Sequence, residues 1–124
     1  MPYTYHIDAE HRLVTSIGSG AITRADIEAH QRALLADPAF QPSFSQLADL
    51  SGATDSAITR DDLRLVAETS VFDGGSRRAV VAPDPVVFGL SRMFEAFREI
   101  TGGKDTIRVF KDRNEALRWL LGEE

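Results

Sequence analysis

The sequence predicts an α/β domain: a single mixed five-stranded sheet with four helices, in the order β-β-α-β-α-β-α-β-α. Three observations carry this. Short runs of alternating or continuous apolar residues, the pattern of strands, are interleaved with stretches whose apolar residues recur at helical spacing. Two of the helical stretches open on a capping-box spacing, Thr23-Arg24-Ala25-Asp26 and Thr59-Arg60-Asp61-Asp62. The run Ala79-Val80-Val81-Ala82 is wholly apolar, as a central strand buried on both faces is. After the second strand, helices separate all the strands. That alternation predicts parallel additions with right-handed crossovers. A chain of 124 residues has the size of one domain, so residues 1–124 are read as one unit.

The elements follow in order. Tyr3, Tyr5 and Ile7 alternate with polar residues, and Leu13-Val14-Thr15-Ser16-Ile17 reads as the hairpin partner. Asp8-Ala9-Glu10-His11 is the turn, and Gly18 and Gly20 are expected to end the second strand. The first helix carries Ile27, His30 or Gln31, and Leu34 on one face, and Pro38 stops it. Phe40 and Phe44 flank Pro42 in the connection to a strand expected over 45–50, with Phe44 and Leu47 as anchors. Ser51 to Ile58 is turn-rich, and Leu63, Val66 and Ala67 stripe the second helix. The fourth strand is expected over 78–82. Pro85 suits the first turn of the third helix. Val86, Val87, Leu90, Met93, Phe94, Phe97 and Ile100 give that helix the broadest apolar face in the chain. Gly102-Gly103 ends it. Thr106 to Phe110 is the last strand, and Ala116, Leu117, Leu120 and Leu121 line the last helix. Trp119 sits beside that stripe, at the sheet edge or half-exposed.

Composition narrows the function classes. No Cys is present, which excludes disulfides, thiolate metal sites and a cysteine nucleophile. The 14 Lys+Arg and 19 Asp+Glu give a net charge of -5, a balance unlike that of a general nucleic-acid binder. The excess lies in residues 1–62, with nine acids and four bases, whereas residues 63–124 hold ten of each. Either this keeps the domain soluble or it faces a basic partner. No apolar run reaches the roughly 18 residues of a membrane span. The first six residues have neither the basic nor the apolar region of a secretory leader, so cytoplasm is the expected compartment.

Motifs for chemistry are sparse. Gly18-Ser19-Gly20 lacks the third glycine of a dinucleotide fingerprint, and Gly102-Gly103-Lys104 is followed by Asp105, not by a hydroxyl residue. No serine stands in a nucleophile elbow. His6 and His11 flank a turn and read as surface residues of the hairpin. No cofactor, metal or catalytic residue is assigned, and the chain is expected not to be an enzyme. Arg77-Arg78 reads as a solvated strand start or a phosphate or acidic-partner contact, and Arg108, Lys111 and Arg113 add a light basic patch. The segment around Asp49, Ser51, Asp55, Ser56 and Thr59 groups hydroxyls with carboxylates at a strand end and a helix start. Thr59 is an N-cap there. An added phosphate on its hydroxyl would meet free amides and the helix dipole.

Asp49-Leu50-Ser51 closing the third strand resembles the STAS and SpoIIAA-like superfamily, small α/β domains related to the bacterial anti-sigma factor antagonist. The resemblance is closer to the SpoIIAA-like branch. It runs through Leu13-Val14, Gly18, Ile22-Thr23, Asp37-Pro38-Ala39-Phe40, Phe88-Gly89-Leu90-Ser91-Arg92-Met93, Val109-Phe110 and Glu115-Ala116-Leu117-Arg118-Trp119-Leu120, nearly the whole chain. In the antagonists an Asp-Ser-Ser-Gly turn follows, and its second serine is phosphorylated by a partner kinase. The resemblance puts Thr59 at that position. Here Ala57-Ile58-Thr59-Arg60 keeps the hydroxyl without the aspartate, first serine and glycine, and Asp55-Ser56 falls two residues early. The branch is also similar to lipid-exchange domains of the CRAL-TRIO type, although this chain is short for such a cavity.

Two expectations result. The first is a non-enzymatic interaction or regulatory domain with a protein partner, or a homodimer, using the Asp49–Thr59 segment and the third helix. The second is a module for a small hydrophobic or anionic, lipid-like ligand. Val87, Leu90, Phe94 and Phe97 then form either a dimer face or the lining of a cavity. A sealed core under that helix favours the first reading, and a pocket favours the second.

Overall fold

The computed structural model describes residues 2–54 and 57–122. Its hairpin pairs β1 (Tyr3–Asp8) antiparallel with β2 (Leu13–Gly20), from Tyr3 opposite Gly18 to Asp8 opposite Leu13. Arg12 turns the chain at φ 54, in the left-handed region. Asp8 holds the turn by accepting from the His11 backbone N–H and by meeting its ring Nδ1 at 2.7 Å.

The other elements are α1 (Arg24–Ala36), β3 (Ser45–Ala53), α2 (Arg60–Ala67), β4 (Arg77–Val81), α3 (Pro85–Ile100), β5 (Thr106–Phe110) and α4 (Arg113–Leu120). Strand order in the sheet is β1-β2-β3-β4-β5, and every pair after the first is parallel. This is the predicted α/β architecture with the predicted element order. The helix starts follow local chemistry. Thr23 and Thr59 each accept from the amide three residues on, and Asp26 and Asp62 each accept the cap residue's own N–H, closing both capping boxes. Asp84 caps α3 through Oδ2, which accepts from Val86 and Val87 at 3.0 and 3.1 Å.

The sheet is covered unequally. Leu47, Ala79, Val81 and Phe110 point to one face, where Ala116 and Trp119 of α4 close over them. The alternate residues of β3 and β4, with Tyr3, point to the other face, beneath α1, α2 and α3. A third cluster of Val14, Leu34, Phe44 and Phe72 seals the end of that layer.

Several boundaries differ from expectation. β2 runs through Gly18 to Gly20, and β3 runs to Ala53, because Ser19 and Gly20 pair with Gly52 and Ala53 beyond a register shift. Gly20 supplies the turn, at φ +69. Gly18 instead makes room: a Cβ there would lie 2.7 Å from Leu50 Cδ2 and 2.9 Å from Ile22 Cδ1. Val86 and Ile100 belong to the apolar stripe of α3 yet are 67% and 79% exposed, since they lie beyond the arc that the helix buries. Trp119 is buried rather than half-exposed, packed on Phe110 with Arg77 and Arg108 over its ring. Among the described residues, no helix is long and apolar enough to cross a membrane.

Candidate functional site

The central feature is a cavity of about 130 Å³, partly open to solvent, between the sheet and α1, α2 and α3. β3 lends it Gln46, Ala48 and Leu50. The period of two then requires Leu47 to face α4, and it does. β4 lends Arg78 and Val80 by the same alternation. Of the four α3 residues singled out from sequence, Val87, Leu90 and Phe94 line the cavity, and Phe97 does not. Most of the wall is apolar.

Its polar part is a continuous buried chain. Arg78 Nε donates to Gln46 Oε1 at 3.1 Å. That bond fixes the amide, so Gln46 Nε2 faces Ser16 Oγ and donates to it at 3.0 Å. Ser16 Oγ lies 2.8 Å from His30 Nε2. Burial, with the nearby charge of Arg78, lowers the His30 pKa from 6.5 to about 4, so the ring is neutral at physiological pH. Ser16 uses its hydroxyl fully when it accepts from Gln46 and donates to His30 Nε2, which puts the ring proton on Nδ1. The Tyr3 ring stacks on His30 at 4.7 Å between centroids. Burial pushes the Tyr3 phenol up to about 12, opposed by Arg78, and no described residue hydrogen-bonds its hydroxyl.

On its other side Arg78 reaches Asp105. Arg78 Nη1 donates to Asp105 Oδ2 at 3.0 Å, and Arg98 Nη2 donates to Oδ1. The Asp105 side chain is 0% exposed and that of Arg78 is 15% exposed. Burial alone would raise the Asp105 pKa. The hydrogen bonds and charges of the two arginines outweigh it, so the carboxyl stays below its usual range. Arg98 also donates to the Ala67 carbonyl at 2.6 Å. Gly103 is explained by this arginine, since a Cβ there would overlap the guanidinium. The guanidinium of Arg78 lies over the rings of Phe72 and Phe94, at 4.6 and 5.7 Å from their centroids.

Arg78 is therefore not a solvated strand start: it is ion-paired within the core. Nor do Arg108, Lys111 and Arg113 form a free basic patch. Arg108 lies over Phe110 and Trp119, Lys111 over Phe88, and Arg113 pairs with Asp49. Asp49 Oδ1 accepts the Ser51 N–H at 2.9 Å. Thr59 is exposed, and its hydroxyl already accepts from Asp62 N at 3.1 Å. No hydrogen bond among the described residues joins Thr59 to Asp49 or Ser51. Asp55 and Ser56 lie outside the described residues.

Ser16 and His30 have the contact of a nucleophile and its base, but Ser16 is 0% exposed and is not part of the cavity wall. The pair links Gln46 to the His30 ring within the buried chain. Sequence reading missed Tyr3, Ser16, Gln46, Arg78 and Asp105 as a group. The one available signal was a long polar or charged residue, Gln46 and Arg78, at an inward position of each of two central strands.

No family model matches the chain, and no curated protein matches it. Among solved structures, it is similar to an uncharacterised protein of the DUF3478 family from Shewanella loihica PV-4, described as having a SpoIIAA-like fold. The TM-score is 0.58 at 19% identity, over 95% of this chain and 91% of that one. The chain has a SpoIIAA-like fold. Within that SpoIIAA-like frame, the turn from β3 to α2 carries Thr59 as a cap, and the cavity lies on the same side of the sheet as α2. The two candidate sites of the SpoIIAA-like domain adjoin: Leu50, Ala53 and Ile58 of the strand-end segment are part of the cavity wall, whereas Asp49, Ser51 and Thr59 are not. The cavity is the one with converging polar groups.

Proposed function

We propose that this chain is a non-catalytic binding module that holds one small, mostly apolar molecule between the sheet and α1, α2 and α3. The observation that carries the reading is the cavity itself. Protein interiors contain few voids larger than a water molecule. A volume of about 130 Å³ is close to the roughly 150 Å³ of an apolar cavity known to accept a benzene-sized molecule. A largely apolar wall with a few placed polar groups is the usual make-up of a small-molecule site. Leu90 and Phe94 contribute to that wall, and the helix that bears them does not pack down to seal the core. The module is proposed as cytoplasmic and without nucleic-acid contacts, in keeping with its acidic charge.

Native mass spectrometry of the chain purified from its own cells tests this. The expected result is a non-covalent adduct that is lost on denaturation, with toluene or hexanol binding the emptied protein in its place. Ala48→Leu, which fills the cavity from β3, should remove the adduct while the chain stays folded. Absence of any adduct, together with no binding of either probe, would overturn the proposal.

A further inference from the structure

Arg78, the arginine of the cavity wall, does not have a counterion of its own. Arg78 and Arg98 share one carboxylate, Asp105, and no other acid is paired with either arginine among the described residues. Arginine does not relieve this by losing its proton. A buried charge without a full counterion is costly, so Arg78, which faces the cavity while sharing its one carboxylate, favours a second anion from the cavity side; Arg98 and Asp105 lie behind it, against a separate hollow that Glu95 and Glu99 also line.

The open hydrogen-bonding atoms nearby agree in sense. Arg78 forms part of the cavity wall and uses Nε and Nη1 on Gln46 and Asp105. Its Nη2 donates to no described residue. The Tyr3 hydroxyl and His30 Nδ1 also lack described partners, and both side chains line the cavity. Tyr3 stacks on His30, and His30 is joined to Arg78 through Ser16 and Gln46, so the three groups share one end of the space. Each can donate. Gln46, which could have offered an acceptor, spends its amide on Arg78 and Ser16. Phe72 and Phe94 hold the guanidinium plane in place, which leaves its outer edge preset for an oxygen acceptor.

We infer that the molecule held in the cavity is a small monocarboxylate, its carboxylate on the outer edge of Arg78 and beside Tyr3, its short alkyl or aromatic body against Leu90 and Phe94. This rests on the binding-module reading and names the ligand class for that site. The volume suits a body of about the size of a benzene ring.

The experiment compares matched probes on the wild-type chain near neutral pH: benzoate against benzamide, and hexanoate against hexanol, by calorimetry. The carboxylates should bind at least about tenfold more tightly, the scale of one hydrogen bond to a charged group. The Arg78 Nε–H resonance should move on adding benzoate and stay in place with benzamide. Tyr3→Phe keeps the stack on His30 and removes only the hydroxyl. It should weaken hexanoate several-fold and leave hexanol unchanged. Equal affinity within each pair would overturn the carboxylate inference and leave the binding module standing. Failure of all four probes to bind would overturn both.

Discussion

Lowering the pH from 7 to 5 should destabilise this protein through His30. The ring is buried between Tyr3, Tyr5 and Ser16, with Arg78 near enough to disfavour its protonation. Its pKa falls from 6.5 to about 4 on folding. Above the unfolded value both states are neutral, and the group contributes nothing to the pH dependence. Below it the unfolded chain binds a proton that the folded chain refuses, so stability falls as pH falls until the folded value is reached. The slope approaches about 1.4 kcal/mol per pH unit, or about 2 kcal/mol lost by pH 5. His11 acts with the opposite sign, because Asp8 raises its pKa in the folded state, and the experiment belongs in a His11→Gln background. Asp105 has a lowered pKa, so its contribution is retained until the pH nears the ordinary carboxylate range, below the window used. Urea unfolding followed by the fluorescence of Trp119, the single tryptophan, gives the free energy at each pH. In His30→Phe, which keeps an aromatic ring against Tyr3, the loss should largely disappear. An equal loss in that variant, or no loss in its parent, would refute the assignment of a buried neutral ring.

Asp105→Asn leaves Arg78 and Arg98 buried without a counter-charge. It should cost about 3–5 kcal/mol in urea unfolding, and a loss under about 1 kcal/mol would contradict the ion-pair geometry. Gly18→Ala forces Leu50 and Ile22 aside and should cost about 1–3 kcal/mol. Both displaced residues line the cavity, so toluene binding should weaken as well; an unchanged midpoint would show that the space is slack. Thr59→Ala removes an N-cap and should cost about 1 kcal/mol, while Thr59→Ser should be nearly silent. An undiminished midpoint in the alanine variant would mean that the cap adds nothing.

The fold was legible because its signals are local. Thr23 and Asp26, or Asp84 and Pro85, set a helix start within a few residues, and Ala79 to Ala82 can be read as a buried strand alone. The site was only half legible. Val87, Leu90 and Phe94 announce an apolar face, but periodicity does not tell a face that packs fully from one that walls a cavity. The polar chain was not legible, because Ser16, His30, Gln46, Arg78 and Asp105 come from four separate elements and a loop. Their meeting depends on strand register, and Gln46 faces Arg78 only because β3 and β4 pair in that register. Gly18 and Gly103 were visible as glycines, but the reason for each is a side chain that folding brings against it: Leu50 for one and Arg98 for the other.

The two faces of β3 and β4 make the strongest case that the polar chain serves binding rather than stability. Toward α4, the same strands present Leu47, Ala79 and Val81, the apolar filling expected of central parallel strands. Toward the cavity, Gln46 and Arg78 stand where aliphatic residues would pack, and behind them buried Arg98 Nε has no hydrogen-bond partner among the described residues. Buried ion clusters are often no more stable than well-packed apolar replacements of similar volume. The triple variant Arg78→Met, Arg98→Met, Asp105→Leu should therefore recover most of the stability that Asp105→Asn loses, and can equal or exceed the wild type. If the cluster exists for the ligand, the same variant should lose its preference for benzoate over benzamide while still binding toluene. A triple variant less stable than Asp105→Asn would instead make the cluster a structural necessity. The stability and binding measurements together separate the two roles, because packing alone can restore the first and only a cation at the cavity wall can restore the second.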